Sequence, residues 1–134
     1  EAGDYRGALS DYDSALARGA QEVELYMNRG MACEKLQLYL QAFADFTKAL
    51  ELDAGWYKPW LLRANLHFRQ KQYRQAVDDY TNALAWQPEN PHVLYNRGLA
   101  LHYLGQNKKA CQDLSAALAL GMKQAAGPLQ AWCE

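Results

Sequence analysis

The chain has 134 residues, of which 14 are basic, 15 are acidic and half are hydrophobic. This length suits one domain with a buried core. The balanced charge argues against a nucleic-acid-binding surface, which would need a basic stripe. No apolar run approaches the ~18 residues of a membrane span, and the opening segment EAGDYRGALS lacks the basic start and apolar stretch of a signal peptide.

A nine-residue segment recurs four times along the chain at a spacing of 34 residues. The copies read ALSDYDSAL, AFADFTKAL, AVDDYTNAL and ACQDLSAAL, and they begin at Ala8, Ala42, Ala76 and Ala110. A second segment recurs with the same period upstream of the last three copies, at Tyr26, Trp60 and Leu94. Apolar and small residues in both segments follow helical spacing. The pattern therefore predicts repeated helix–turn–helix units.

In chain order, the helices are predicted at 4–18, 22–36, 39–52, 57–70, 73–86, 91–104 and 107–120. Pro91 suits a first helical turn, where its missing N–H needs no partner. The tail places six residues on one helical face: Met122, Ala125, Ala126, Leu129, Trp132 and Cys133. Because Pro128 would break a helix that began at Met122, we expect a short or kinked helix that caps the stack.

Small residues recur midway along the first helix of each unit, at Gly30, Ala64 and Gly98. A small side chain at this position would let the neighbouring helix approach closely. We therefore expect these three positions to be structural.

Opposite charges also recur at equivalent positions. The first helices carry Arg29, Arg63 and Arg97, and the second helices carry Asp11, Asp45, Asp79 and Asp113. Helical spacing places both sets on inward faces, and inward charges usually need a partner. We expect Arg–Asp pairs between packed helices, within one repeat or between neighbouring repeats. The alternative is that the arginines extend along the surface and the aspartates are solvated.

The third copy carries a set of residues that belongs to a known signature: Trp60, Ala64, Tyr73, Ala76, Tyr80, Ala83 and Pro88. With these residues and its period, the chain resembles the tetratricopeptide repeat family. The resemblance implies an all-α fold, a right-handed α-solenoid of antiparallel helix pairs. It makes residues 1–134 a single domain, with the second helix of a truncated repeat at 1–20, full repeats at 23–56, 57–90 and 91–122, and a capping segment at 123–134. Asn107 departs from the signature, which has a tyrosine at this position.

The sequence lacks the patterns of catalytic and metal-binding sites. His67, His92 and His102 are dispersed, and no two lie four residues apart on one helix, as an HExxH zinc site would require. No G-x-S-x-G, P-loop or GxGxxG segment occurs. We therefore predict no enzyme activity, no cofactor and no metal.

The three cysteines, Cys33, Cys111 and Cys133, show neither short-range pairing nor zinc-ligand spacing. An odd number without such a pattern slightly favours a reducing compartment. We expect a soluble chain, with a cytoplasmic location favoured and an upstream targeting signal left open. Cys111 is expected to pack as a small hydrophobic residue against its neighbouring helix.

The resemblance also implies a binding surface. In this family the first helices of successive repeats line a concave face, and that groove typically receives a peptide or a helix of a partner. Helical spacing assigns twelve residues to the groove: Glu24, Met27, Asn28, Met31, Lys35, Lys58, Leu62, Asn65, Arg69, His92, Asn96 and Tyr103. Phe68 and His102 lie on the same stripes. Asn28 and Asn96 hold equivalent positions, where an amide can both donate to and accept from a ligand's backbone.

Some members of the family grip the C-terminal carboxylates of chaperones with Lys, Asn and Arg side chains. Asn28 and Lys58 match two of those positions, but Leu62 stands where an Arg or Lys is needed. Binding of chaperone tails is therefore not predicted.

We predict a protein-interaction module within a larger protein, with extended-peptide and helix-in-groove binding both open. No nucleic-acid or membrane partner is expected. The alternative is a structural segment that self-associates through exposed repeat ends. A third possibility is that the repeats serve as a scaffold for an enzyme domain elsewhere in the parent chain.

Overall fold

The structure is a computed structural model that describes residues 2–17 and 22–133. The helices in these ranges are α1 Ala2–Ala17, α2 Val23–Lys35, α3 Tyr39–Leu52, α4 Tyr57–Arg69, α5 Tyr73–Trp86, α6 Pro91–Leu104, α7 Asn107–Ala119 and α8 Ala126–Trp132, with a 3-10 turn at Lys123–Ala125. These ranges contain no β-strand, and none of their helices combines the length and apolar composition needed to cross a lipid bilayer.

Each predicted repeat helix is present within two residues of its expected bounds, apart from the end of the first, because residue 18 lies outside the described residues. The tail forms a 3-10 turn followed by the seven-residue helix α8. Pro128 stands in the first turn of α8, where proline is tolerated. The prediction of a short helix is therefore confirmed.

The helices form two compact units, residues 1–59 and residues 60–134. In the first unit, α2 contacts both α1 and α3. In the second unit, α6 contacts both α5 and α7, and α7 also contacts the 3-10 turn and α8. The turns between α2 and α3, between α5 and α6 and between α6 and α7 are short, so these neighbouring helices run antiparallel. That the two units form one domain over residues 1–134 stays a prediction.

The recurrent small residues allow close helix packing inside each unit. A Cβ added at Gly30 would lie 2.6 Å from the ring of Phe46, which is 0% exposed. A Cβ added at Gly98 would lie 3.0 Å from Cγ of Leu114. Ala64, at the equivalent position of the third copy, has no exposed surface. The structural role predicted for these positions follows from these contacts.

The helix ends repeat the same backbone geometry with different residues. Gln37, Lys71 and Gly105 stand in the turn between the first and second helices of their copies, with φ of 62°, 62° and 95°. Only glycine adopts this left-handed region without steric cost.

At the start of α6, the Oδ1 atom of Asn90 accepts hydrogen bonds from two backbone N–H groups at 3.0 and 3.3 Å, and Pro91 takes the first helical position.

Arg–Asp pairs join the first and second helices within a copy. Nε and Nη2 of Arg63 donate to the two carboxylate oxygens of Asp79 at 2.8 and 3.0 Å. The equivalent pairs are Arg29–Asp45, at 2.9 and 2.7 Å, and Arg97–Asp113, at 2.7 and 2.8 Å. Two parallel N–H···O bonds to one carboxylate form a strong charge-assisted contact. The prediction that the two sets of charges pair is confirmed for Asp45, Asp79 and Asp113. The expectation that Asp11 also faces inward is wrong, because Asp11 is exposed on α1.

Two of these arginines also contact the second helix of the preceding copy. Nη1 of Arg29 lies 3.0 Å from Oδ1 of Asp13, and Nη1 of Arg97 donates to Oγ1 of Thr81 at 3.2 Å. Asp13 and Thr81 occupy equivalent positions two copies apart. The hydrogen bond to Asp45 raises the pKa of Arg29 above its ordinary value, although burial works in the opposite direction. Each of these guanidinium groups therefore joins three helices.

Candidate functional site

In the first unit, the residues predicted to bind a ligand lie along α2. Glu24 and Lys35 are exposed, and Asn28 and Met31 are half-buried. Met27 is only 1% exposed, so its assignment to the binding surface is wrong. Because α2 packs between α1 and α3, only a narrow stripe of this helix remains accessible, and Met27 belongs to the core instead. Lys58, at the start of α4 and also within residues 1–59, is half-buried.

In the second unit, the predicted residues lie on α4 and α6, which run side by side in the same direction. Asn65 of α4 contacts Asn96 of α6, and further along both helices Phe68 contacts Tyr103. We call this surface the α4–α6 face. It consists of Leu62, Asn65, Phe68, Arg69, His92, Asn96 and Tyr103. Its members are all half-buried or exposed, so ligand access is possible along both helices.

A hydrogen-bond network fixes the two asparagines of the α4–α6 face. The hydroxyl of Tyr80 donates to Oδ1 of Asn65, and Nδ2 of Asn96 donates to the same oxygen at 3.4 Å. Tyr80 is 1% exposed, and its burial raises the pKa of its phenol above the ordinary value. The phenol therefore stays protonated at neutral pH and serves as a donor. These two hydrogen bonds fix the orientation of the Asn65 side-chain amide.

Aromatic rings continue the α4–α6 face beyond the asparagines. Tyr103 stacks on Tyr73 with ring centroids 5.3 Å apart and meets the edge of Phe68 at 6.0 Å. Phe68 and Tyr73 also contact each other edge to face at 5.4 Å. Tyr103 is 54% exposed, so half of its ring surface faces the solvent. These rings form a fixed apolar surface with an accessible edge.

The fourth copy replaces this ring pair with polar residues. His102 and Asn107 stand at the positions equivalent to Phe68 and Tyr73. Nδ1 of His102 lies 2.8 Å from Oδ1 of Asn107, and Nδ2 of Asn107 donates to the backbone oxygen of Trp132 at 2.8 Å. Because the amide nitrogen of Asn107 is the donor to Trp132, its oxygen must accept, and Nδ1 of His102 carries the proton.

The indole of Trp132 lies flat on the imidazole of His102. The ring centroids are 3.6 Å apart and the ring planes differ by 2°. Trp132 also meets the ring of Tyr103 edge to face at 6.1 Å. A side chain from the tail thus covers His102, which helical spacing had placed on the ligand-binding stripe.

A disulfide joins Cys111 of α7 to Cys133, which directly follows α8. The expectation that Cys111 packs as a small hydrophobic residue is therefore wrong. The two cysteines lie 22 positions apart in the sequence, which is no local pairing pattern, and the spacing alone could not show that the tail folds back onto α7. Cys33 remains as a free and buried thiol, and this burial raises its pKa. The preference for a reducing compartment, which depended on unpaired cysteines, loses its basis.

Of the other two histidines, His67 makes contacts within its own copy, whereas the structure shows no role for His92. Nδ1 of His67 lies 2.7 Å from Oε1 of Gln72, and its Nε2 lies 3.7 Å from Oδ2 of Asp79. His92 is exposed at the start of α6. Among the residues that the structure describes, no three His, Cys, Asp or Glu side chains come together as a possible metal site.

A cavity of about 570 Å³ lies at the turn between α5 and α6, away from the asparagine network. It is lined by six consecutive residues, Gln87, Pro88, Glu89, Asn90, Pro91 and His92. Only His92 belongs both to this cavity and to the α4–α6 face. The cavity therefore provides a second location against which ligand binding can be compared.

Family models match nearly the whole chain. Models described as "Tetratricopeptide repeat" match residues 1–59 and 91–120, and a model described as "TPR repeat" matches residues 64–105. Together they include both units and all four copies of the nine-residue segment. Recognition of the family from the repeated residues is confirmed.

Among curated proteins, the chain is similar to Sperm-associated antigen 1 of Mus musculus, with 39% identity over 88 residues that cover 66% of this chain and 10% of that protein. It is also similar to the Hsp70-Hsp90 organizing protein of Triticum aestivum, with 28% identity over 90 residues that cover 67% of this chain and 16% of that protein. The chain thus spans less than a fifth of the length of either relative.

Among solved structures, YrrB, described as "a TPR protein with an unusual peptide-binding site", superposes with a TM-score of 0.85 at 19% identity. The match covers 94% of this chain and 66% of that one. At this identity the likeness shows the fold alone, and it confirms the helix-pair fold class. The repeat period, the packed helix pairs and the matching models agree that the chain belongs to the tetratricopeptide repeat family.

Proposed function

We propose that this chain is a protein-interaction segment of a larger protein, and that its α4–α6 face binds a peptide or a helix of a partner protein. The family is one whose members bind proteins and peptides. The names of two similar proteins, an Hsp70-Hsp90 organizing protein and a protein with a peptide-binding site, support the same class of function. We assign the segment no catalytic activity, because its sequence carries no catalytic motif.

The observation that carries the proposal is the pairing of Asn65 with Asn96. The Oδ1 atom of Asn65 already accepts from Tyr80 and Asn96. The amide nitrogen of Asn65 and the amide oxygen of Asn96 then remain as one donor and one acceptor on neighbouring helices. A peptide bond presents one acceptor and one donor, so this pair can bind the backbone of an extended peptide or the end of a helix.

The rings beside the asparagines would contribute apolar contact to the same ligand. Tyr103 is held by Phe68 and Tyr73 on one side and keeps about half of its surface accessible (54%). A rigid aromatic side chain buries area at low entropic cost and commonly dominates binding energy. Leu62 extends the apolar contact along α4, whereas Arg69 and His92 are exposed at its margins. We propose that the ligand carries an apolar or aromatic side chain next to a backbone held by the amides.

The first unit offers a smaller candidate surface of its own on α2. Asn28 holds the position equivalent to Asn96, and it is half-buried between Glu24 and Met31. Lys35 is exposed at the end of the same helix. We propose that this stripe makes a second contact with a partner, weaker because α2 carries only one such asparagine.

Selection from a random peptide library on the intact chain would test the proposal, followed by affinity measurements on three single variants. Asn65→Ala and Asn96→Ala should each weaken the selected peptides about tenfold or more, because a ligand group left without its partner costs ~1–3 kcal/mol. The matched control is Asn82→Ala, on the exposed side of α5, which should change affinity less than about twofold. Failure to select any peptide, or equal losses in all three variants, would contradict the proposal.

A structural segment that self-associates is the alternative candidate. Leu118 and Leu120, at the end of α7, are 39% and 41% exposed, and exposed apolar residues of this kind favour contact with another chain. Light scattering over a range of concentrations separates the candidates. A mass that rises with concentration in the wild type and returns to the monomer in Leu118→Ser/Leu120→Ser would favour self-association.

A further inference from the structure

We propose that the Cys111–Cys133 disulfide is a redox-controlled clasp that holds Trp132 over His102, and that reducing it uncovers a site for an aromatic side chain of a partner. The clasp itself does not depend on the function proposed for the α4–α6 face. The binding of an aromatic side chain does rest on that function, because His102 and Tyr103 border the same surface.

Trp132 covers the fourth copy in the way that Tyr103 covers the third copy. In the third copy, Phe68 and Tyr73 are covered by Tyr103, which comes from the first helix of the next copy. In the fourth copy, the equivalent His102 and Asn107 are covered by Trp132 instead. Residues 126–133 thus supply a substitute ring at an equivalent location, from the short helix α8.

Apart from the disulfide, the helix that carries Trp132 is held by contacts that bury none of its residues. The helix α8 has seven residues and none of them is buried. The 3-10 turn before it is anchored by the buried residues Met122 and Ala125. Since a helix this short is not stable alone, α8 depends on the disulfide, its packing against α7, the contacts of Trp132 with two rings and one hydrogen bond from Asn107. Loss of the disulfide should therefore release α8 while the turn stays packed.

The chemistry of the clasp is a thiol–disulfide exchange. A dithiol reductant attacks one sulfur of the Cys111–Cys133 bond, forms a mixed disulfide and then closes its own disulfide. Two electrons and two protons pass to the protein, which gains two thiols, and the dithiol becomes oxidised. Neither Cys111 nor Cys133 is a buried residue, whereas the thiol of Cys33 is buried and takes no part.

Release of Trp132 would expose a site on the ring of His102. The side chain that occupies this site in the structure, a tryptophan, indicates the class of ligand that it would bind. The imidazole of His102 carries an indole at 3.6 Å in a parallel stack, and the ring of Tyr103 meets the same indole edge to face. A partner's tryptophan, or another flat aromatic side chain, can make the same two contacts. Oxidation by a disulfide such as oxidised glutathione, which takes two electrons and two protons from the two thiols and leaves as two thiols, would close the site. The tethered indole then occupies it at high effective concentration.

Hydrogen exchange measured by mass spectrometry tests the clasp on the full chain, oxidised and after treatment with dithiothreitol. We expect the amides of residues 126–132 to exchange at least about tenfold faster after reduction, since local opening governs their protection, while α4 to α6 keep their rates. Cys111→Ser/Cys133→Ser should match the reduced protein under both conditions, and Cys33→Ser should respond as the wild type does. Equal exchange in both redox states, or three free thiols in the chain after equilibration with oxidised glutathione, would overturn the clasp.

The aromatic site is tested with N-acetyl-tryptophanamide, followed by NMR of the His102 ring. The probe should shift these signals in the reduced protein and, in both redox states, in Trp132→Ala, but not in the oxidised wild type. No shift in Trp132→Ala would overturn the aromatic site and leave the exchange result on the clasp intact. Peptides selected against the α4–α6 face that still depend on Asn96 would show that the proposed function survives such a failure.

Discussion

The two sides of the second unit differ in how closely successive copies agree. Between the first and second helices of a copy, the same Arg–Asp pair occurs in the third and fourth copies, with the same atoms in contact. On the α4–α6 face, by contrast, the ring pair Phe68–Tyr73 gives way to the polar pair of the fourth copy. We infer that the constant side maintains the fold and that the variable side is where recognition can be adjusted at little cost in stability.

The largest effect is expected from breaking the constant side at Asp79. The side chain of Asp79 is 6% exposed, and its removal takes from Arg63 two charge-assisted hydrogen bonds in a partly buried setting. We expect Asp79→Ala to lower the free energy of unfolding by about 3–5 kcal/mol, measured by urea denaturation. Asp78→Ala, at the exposed neighbouring position, is the control and should change it by less than about 0.5 kcal/mol.

A double-mutant cycle of Asp79→Ala with Arg63→Ala measures the pair itself. Coupling near zero, or an equal loss in Asp78→Ala, would mean that the constant side owes its recurrence to something other than the ion pair.

A smaller loss is expected from filling the close contact at Gly30. The added methyl group would overlap the buried ring of Phe46, which costs ~1–3 kcal/mol, while the better helix propensity of alanine returns up to ~1 kcal/mol. Gly30→Ala should therefore destabilise the chain by about 1–2 kcal/mol. Gly7→Ala is the matched control in α1, where nothing lies within 4 Å of the added Cβ, and it should be stabilising. Thermal unfolding of both variants tests this prediction. A stabilising Gly30→Ala would contradict the proposed role of Gly30 in close helix packing.

The smallest effect concerns the left-handed turn that three different residues occupy. Lys71 has the same backbone conformation as Gly105 but carries a side chain that disfavours it. The left-handed backbone costs a non-glycine residue ~1–2 kcal/mol, and the greater chain entropy of glycine offsets ~0.5–1 kcal/mol of this. Lys71→Gly should therefore stabilise the chain by roughly 0.5–1 kcal/mol, and Gly105→Ala should destabilise it by roughly the same amount. Chemical denaturation of the two variants checks both signs. A destabilising Lys71→Gly would show that contacts of the lysine side chain stabilise the chain by more than its left-handed backbone conformation destabilises it.

The repeat explains why so much of the fold could be predicted from the sequence. Residues with the same structural role recur in several copies. The helix bounds, the glycine contacts and the Arg–Asp pairs could therefore be inferred from recurrence at a fixed period. Helical spacing also assigned Asn65, Asn96 and Tyr103 to the ligand-binding stripes of their two helices, and in the structure all three lie on the α4–α6 face. These features depend on local periodicity and on packing that every copy shares.

The features that the sequence did not reveal are those that occur once. Met27 lies on the correct helix, but α2 is packed on two sides, and the repeat pattern does not tell which edge of the stripe stays accessible. The disulfide and the stack of Trp132 on His102 depend on how a unique tail folds back across α7. The sequence did contain one indication of this arrangement. Asn107 replaces a tyrosine of the family signature, which leaves space for an aromatic ring from another part of the chain.

The most direct test of the binding proposal is an NMR titration of the full isotope-labelled chain with a peptide selected from the library. We predict that the side-chain amide signals of Asn65 and Asn96 shift together with the backbone signals around Leu62 and Tyr103, and that they saturate at one ligand concentration. Shifts confined to the cavity at the α5–α6 turn, or to the Arg–Asp side of the unit, would contradict binding on the α4–α6 face.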